Sequence, residues 1–402
     1  MKKLSFSLII LLIIWSCSSD KPSEQVLLKI QNIENGLVEF RPGAQADSIQ
    51  TQATMSLSDR MNLHKIPGVS IAVIDDYKIE WAKAYGVLNV EEPAPVTTES
   101  IFEAASSTKL LVTAVALNFV ERGLLDLDKD VNKYLKSWKI PENDFTRENK
   151  VTLHLLLTHQ SGLNRPDGGF SWEDESSPSL IQVLNGELPA QNQAAKIEFV
   201  PGNNWQYSNM DYVVIQLLLE DISGKSLSQI AREIVFVPLG MKSSTLIYPL
   251  DPEFKSREAL PHDAERNVRE PAMHPTAVAQ GGLMTTPSDL ALLVIELMRA
   301  YQGQSNQILS RDMTQSMFQK VLDLDPAILG GVPFAQGLGV FLQESDQNLS
   351  FIHPGDNYPG STCWLEGSPA AGKGVIIMTN GVKGNLLAME ILPAVKKEYN
   401  WQ

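Results

Sequence analysis

The stretch that most constrains this chain runs from Phe102 to Gly123. Between Leu110 and Val120 there is no charged residue, and Glu121-Arg122-Gly123 closes the run with a glycine where a helix ends. A helix apolar on every side must be buried. Lys109 therefore stands at the mouth of a core, where an ammonium is costly. Ser106 lies three residues earlier, on the same helical face. Desolvation lowers a lysine's pKa, so Lys109 can take the proton of a neighbouring hydroxyl, and a helix N-terminus favours a developing oxyanion. The spacing alone is weak: Ser18-Ser19-Asp20-Lys21 repeats it. A helix cap at Ser106 and a snorkelling Lys109 are the plain alternatives.

The chain is long enough, at 402 residues, for one large or two intimate domains, and its net charge of −14 argues against nucleic acid as a partner. Met1-Lys2-Lys3, the apolar run Leu8–Ile14 and Ser16-Cys17 read as a secretory signal over residues 1–16. Ile14-Trp15-Ser16-Cys17 resembles a bacterial lipobox, which would make Cys17 a lipidated first residue and the protein an exported, membrane-anchored lipoprotein. An ordinary cleaved signal peptide is the alternative. Residues 17–46 then read as a tether, with a short helix possible over Val26–Ile33. Cys363, the other of two cysteines, sits in an apolar strand pattern and reads as a small buried hydrophobe.

From residue 47 onward a single domain is expected. Gly68–Ile74 and Ile79–Val87 form a hairpin across Asp75-Asp76. Helical patterns follow through the middle, among them Met210–Ile222 and a helix starting at Pro287-Ser288. Strands return at Gly337–Leu342, Ser350–His353, Gly360–Leu365 and Gly374–Thr379, and an amphipathic helix spans Leu386–Tyr399. The simplest fold is α+β: an antiparallel sheet built from N- and C-terminal strands, flanked by terminal helices, with a mostly helical insert and a cleft between. Asn164–Phe199 and Leu246–Thr276 read as irregular surface loops facing that cleft, and Trp172 is a candidate substrate contact. His154 and His159 are spaced i, i+5 without the glutamate of a zinc helix, so both read as structural histidines, and no metal or cofactor is expected.

Tyr207-Ser208-Asn209 opens a helix after a turn-rich loop and is the one Tyr-x-Asn among nine tyrosines. With Ser106-Ser107-Thr108-Lys109 before it and His353-Pro354-Gly355 after it, it completes three motifs in a fixed order. Together they resemble the serine β-lactamase and penicillin-binding-protein superfamily, in its class C-like branch of β-lactamases, DD-peptidases, D-aminopeptidases and esterases. The likeness spans about residues 50–395 and includes Val151–Leu163, Pro201-Gly202, Pro238–Met241 and Gly281–Leu283.

The resemblance implies that Ser106 is the acylated nucleophile and Lys109 its base partner. It implies that Tyr207 relays a proton to the leaving group and that Asn209 orients substrate. His353 and Gly355 would line the opposite wall. The backbone N–H groups of Ser106 and Asp356 would form the oxyanion hole, with the Asp356 side chain a departure that could bring negative charge near it. A small-molecule or peptide substrate is implied: a small ester or a D-amino-acid amide, since no Lys-Thr-Gly or Lys-Ser-Gly occurs and His353 takes that lysine's place. The alternatives are a true class C-type β-lactamase and, from another class, a non-catalytic penicillin-binding or ligand-sensing lipoprotein.

Overall fold

A computed structural model describes residues 22–41, 53–165, 177–272, 274–329, 331–344 and 348–401. The signal segment, Cys17, Ser18–Lys21 and Trp172 lie outside the described residues. The chain opens with helices α1 (Glu24–Asn35) and α2 (Leu57–His64), each capped by a serine, Ser23 and Ser56, whose hydroxyl accepts a first-turn N–H. The hairpin β1 (Gly68–Asp75) and β2 (Lys78–Gly86) follows, then the short β3 (Phe102–Glu103) and the central helix α3 (Thr108–Glu121).

Helix α4 (Asn209–Ser223) carries the second motif at its start. The short β4 (Met284–Thr285) pairs with β3 and leads into α5 (Pro287–Tyr301), capped by Thr286 with proline at its first position. The remaining strands are β5 (Leu322–Leu324), β6 (Phe334–Gln336), β7 (Phe341–Glu344), β8 (Leu349–Asn357), β9 (Ser361–Ser368) and β10 (Lys373–Thr379). Helix α6 (Gly384–Glu398) closes the fold.

Eight strands form one antiparallel sheet in the order β2-β1-β10-β9-β8-β7-β6-β5. The N-terminal hairpin joins the C-terminal strands where Val69 faces Thr379 and Ile71 faces Ile377. Alternation along the strands buries both faces. Val69, Ile71, Val73, Trp364 and Ile377 pack with α1, α2 and α6, whereas Ala72, Ile74, Leu365, Ile376 and Met378 belong to the larger core shared with α3, α4 and α5. The α+β arrangement expected from the pattern is the one observed.

Three local expectations change. The segment read as a tether is not one throughout: α1 buries Ile30 and Ile33 in the core that also holds Leu387 and Ile391 of α6, and Leu37 is fully buried and bridged to Met55. Apolar spacing too sparse to read as a core helix suffices here because α6 supplies the rest of the surface. Strands β5 and β6 are three residues each, too short to show a period of two. The strand expected from Gly337 begins only at Phe341, because Gly339 turns in the left-handed region with φ 65°. A Cβ there would fall 1.9 Å from the Thr113 hydroxyl of α3.

Candidate active site

Ser106 sits in a single 3₁₀ turn, Ala105–Ser107, that feeds directly into α3. The residue before it, Ala105, is buried with φ 48°, a left-handed conformation that an alanine holds only under constraint from its surroundings. Lys109 is fully buried one turn further on. Its Nζ lies 3.1 Å from Ser106 Oγ and 2.9 Å from Asn209 Oδ1, and it also donates to the Gln280 carbonyl. Burial among the apolar residues of α3 pulls the lysine down to about 7; Asp211 opposes that shift and Arg165 adds to it. At neutral pH this amine can lose its proton, which an exposed lysine cannot do.

The start of α4 forms the second wall. Ser208 caps the helix, accepting from the Met210 N–H and donating to the Asn164 carbonyl at 2.7 Å. That cap places Tyr207 and Asn209 on either side of it, both lining the cleft. The Tyr207 phenol is pushed up to about 12 by burial, against a hydrogen bond with Ser106 and the nearby Arg165 charge, so it stays protonated in the resting site. Asn209 bonds to Lys109 itself, a contact additional to the substrate-orienting role implied by the resemblance.

Two buried residues hold this wall from behind. The His159 ring packs against Tyr207 with centroids 4.4 Å apart and the planes tilted by 44°, and its Nδ1 meets Asp211 Oδ2 at 2.7 Å. The other Asp211 oxygen accepts from Ser161 at 2.5 Å. Desolvation raises the Asp211 carboxyl and lowers the His159 imidazole, both toward their neutral forms. His159 is thus a structural histidine, as its spacing implied, but one in contact with the site. Asp211 went unread, although it is the sole charged residue between Met210 and Leu219 and so the conspicuous member of a buried helix.

Strand β8 supplies the third wall. Beyond Ile352, which pairs with Phe341, β8 leaves β7 and runs past the nucleophile turn. A Cβ on Gly355 would lie 2.3 Å from the Ala104 carbonyl and 3.1 Å from the Ser106 N, so only glycine lets this backbone come so close. The Ser107 hydroxyl ties the approach by donating to the His353 carbonyl at 2.8 Å. Glu103, buried and raised to about 7 by desolvation, accepts from Asn357 at 2.6 Å and from Ser361 at 3.1 Å and clamps the end of β8.

His353 departs from its expected place. Pro354, Gly355 and Asp356 line the cleft, but the His353 imidazole is buried beside Phe341, held neutral with its pKa lowered to about 3 by desolvation and by Lys109. The alternation of the strand turns it inward, so it presents no side chain for a substrate carboxylate. Asp356 is exposed on the cleft, yet the surrounding protein crowds its carboxyl enough to raise it to about 6.

These walls enclose a cleft of about 940 Å³. Arg165, exposed and 5.7 Å from the centre of the Tyr207 ring, also lines it, so the described lining holds one cationic side chain, Arg165, and one anionic one, Asp356. The model of the family described as Beta-lactamase matches residues 56–397. The chain belongs to the beta-lactamase family. A putative D-alanyl-D-alanine carboxypeptidase of Escherichia coli K12 is 28% identical over 217 residues, 52% of this chain; the chain spans about half (49%) of that relative's length. Among solved structures, an octameric penicillin-binding protein homologue from Pyrococcus abyssi aligns with TM-score 0.69 at 26% identity, covering 85% of this chain and 77% of the other. A D-amino acid amidase from Ochrobactrum anthropi shares the fold with TM-score 0.67 at 20% identity, over 85% of this chain and 96% of its own.

Within this beta-lactamase-family fold, six of the seven cleft residues expected from the sequence converge: Ser106, Lys109, Tyr207, Asn209, Gly355 and Asp356. The imidazole of His353 does not join them.

Proposed function

We propose that the protein is a serine hydrolase that works through an acyl-enzyme on Ser106, acting on amide bonds next to D-amino acids or on small esters. The observation that carries this is the buried Lys109 amine, 3.1 Å from Ser106 Oγ and lowered to about 7. Neutral Lys109 takes the Ser106 proton as Oγ bonds to the substrate carbonyl carbon. The N–H groups of Ser106 and Asp356 receive the oxyanion, with Gly355 permitting the approach. Lys109 returns the proton through the Tyr207 phenol to the leaving nitrogen or oxygen, and the carbonyl–leaving-group bond breaks. Water, deprotonated by the same pair, then releases the acyl group. His159 and Asp211 hold the Tyr207 ring in place for both transfers.

The substrate class rests on the charges of the cleft. No side-chain cation stands at the third motif, which weakens recognition of the carboxylate of a β-lactam. A cleft lined by both Asp356 and Arg165 suits a substrate that carries an ammonium and a carboxylate, as a short peptide does. Similarity to a D-alanyl-D-alanine carboxypeptidase, and a fold shared with a D-amino acid amidase, support the D-amino-acid reading. Export and anchoring at a lipidated Cys17 would place this chemistry on the outer side of a bacterial membrane.

The test is labelling with a fluorophosphonate, read by intact mass, followed by a substrate panel. Wild type gains one adduct and Ser106→Ala gains none; Tyr207→Phe folds but turns over about 100-fold or more slowly. p-Nitrophenyl acetate and D-amino-acid peptides are hydrolysed, and nitrocefin slowly if at all. Full labelling of Ser106→Ala would remove the nucleophile from the scheme, and nitrocefin outpacing the other substrates by orders of magnitude would restore the β-lactamase alternative.

A further inference from the structure

Strand β8 reaches the active site with one strand neighbour. Ile352 is its last residue paired with β7, so from His353 onward β9 holds one edge and the backbone at Gly355 abuts the nucleophile turn. The two N–H groups assigned to the oxyanion hole therefore stand on different segments, Ser106 on the turn and Asp356 on the strand. Their separation depends on what ties one segment to the other. Two side-chain ties do this, and they bracket Asp356. Before it, Ser107 Oγ donates to the His353 carbonyl at 2.8 Å. After it, Asn357 Nδ2 donates to Glu103 Oε2 at 2.6 Å, and Ser361 Oγ donates to Glu103 Oε1 at 3.1 Å. Asn357 and Ser361 are the last pair of the β8–β9 register, so one carboxyl, three residues before Ser106, grips both strands. The same Asn357 Nδ2 lies 3.5 Å from the Gly281 carbonyl, next to the Gln280 carbonyl that receives Lys109. Glu103 is 1% exposed, between buried Phe102 and Ala104, and nearby Glu258 opposes its ionisation. An apolar side chain would fill that place at lower cost, since the pairing of β3 with β4 needs only the backbone.

We propose that Glu103 is a positioning residue for catalysis: by accepting from Asn357 it fixes the Asp356 N–H against the Ser106 N–H at the spacing a tetrahedral oxyanion requires. Glu103 is not among the described residues lining the cleft, so it acts through Asn357 and not on the substrate. Donors aimed at a developing oxyanion are effective only when held in place beforehand, and a misplacement of about 1 Å costs about 100-fold in rate. The inference rests on the Ser106 acyl-enzyme reading and adds to it the residue that sets the geometry of its oxyanion hole.

The experiment pairs p-nitrophenyl acetate kinetics with inhibition by phenylboronic acid. Ser106 Oγ bonds to boron as its proton passes to Lys109, and a hydroxyl of the resulting tetrahedral boronate occupies the oxyanion position. Glu103→Ala lowers kcat/KM about 100-fold and raises the boronate Ki by a comparable factor. Asn357→Ala does the same, and the double variant is no worse than either single one. Glu103→Gln keeps an oxygen for Asn357 and lets the Ser361 hydroxyl accept instead, and it recovers most of both losses. Thermal melts report folding, and a Ki is independent of how much protein is active, so a merely structural role would leave it unmoved. Should Glu103→Ala fail to fold, the Ki of Asn357→Ala decides. An unchanged Ki, additive losses, or Glu103→Gln as slow as Glu103→Ala overturns the positioning role and leaves the hydrolase reading in place. No turnover by wild type together with no adduct on Ser106 overturns both.

Discussion

Replacing Lys109 by methionine separates the two consequences of burying an amine. The folded protein lowers this group from 10.5 to about 7, chiefly by desolvation. A change of that size corresponds to about 5 kcal/mol against the charged form. Methionine relieves the penalty but leaves Asn209 Oδ1 and the Gln280 carbonyl without their donor, at about 1–3 kcal/mol each. The two effects nearly cancel, so stability at one pH is uninformative and its slope is decisive. Between about pH 7 and 10.5 the unfolded chain keeps the Lys109 proton and the folded protein does not; unfolding takes up a proton, and raising the pH disfavours it. Wild type should therefore gain about 3 kcal/mol relative to Lys109→Met between about pH 7.5 and about pH 9.5 in denaturant titrations, every other group being common to both chains.

The same proton sets the rate. The neutral fraction of Lys109 is about one tenth at pH 6, half at pH 7 and nine tenths at pH 8. Acylation by a fluorophosphonate, an uncharged reagent, should rise about ninefold across that range in wild type and be slower by orders of magnitude in Lys109→Met. Parallel stability curves for the two chains would show that the amine is not desolvated as the geometry implies. An acylation rate independent of pH from about 6 to 8 would show that Lys109 is not the base.

Gly355→Ala should lower kcat by about 100-fold or more with a smaller effect on the melting temperature, because the new Cβ presses on the Ala104 carbonyl and the Ser106 amide; kinetics and a thermal melt on one preparation check both. Wild type should fractionate with membranes and begin at an acylated Cys17, whereas Cys17→Ser should be released or keep its leader, as N-terminal mass analysis reads directly.

The three motifs were legible because each is local. Ser106 and Lys109 share one turn, Tyr207 and Asn209 flank one cap, and His353-Pro354-Gly355 is a single strand. The hairpin and the C-terminal strands were legible too, since strands buried on both faces read as short apolar runs bounded by turn residues. What stayed hidden depends on partners far away in the chain. Asp211 acquires its meaning from His159 and Ser161, about fifty residues upstream. Phe40 becomes a wall of the cleft because α1 docks on α6, which lies at the opposite end of the sequence. The inward turn of His353 depends on which face of β8 meets the core, and β5 and β6 are too short to signal themselves.

The central helix joins these levels. Its lack of charge from Leu110 to Val120 reads in the sequence as the mark of a core element, and in the structure that same lack of charge is the chemistry of the site. Were α3 amphipathic, Lys109 would reach water, keep a pKa near its ordinary 10.5 and be protonated at neutral pH. The helix instead holds the amine where water cannot reach it, while Asn209, Gln280 and Ser106 supply its only described polar partners. A change that opened α3 to solvent would leave the Ser106–Lys109 distance intact and still remove the base. The helix behind the motif is thus as much a part of the active site as the motif itself.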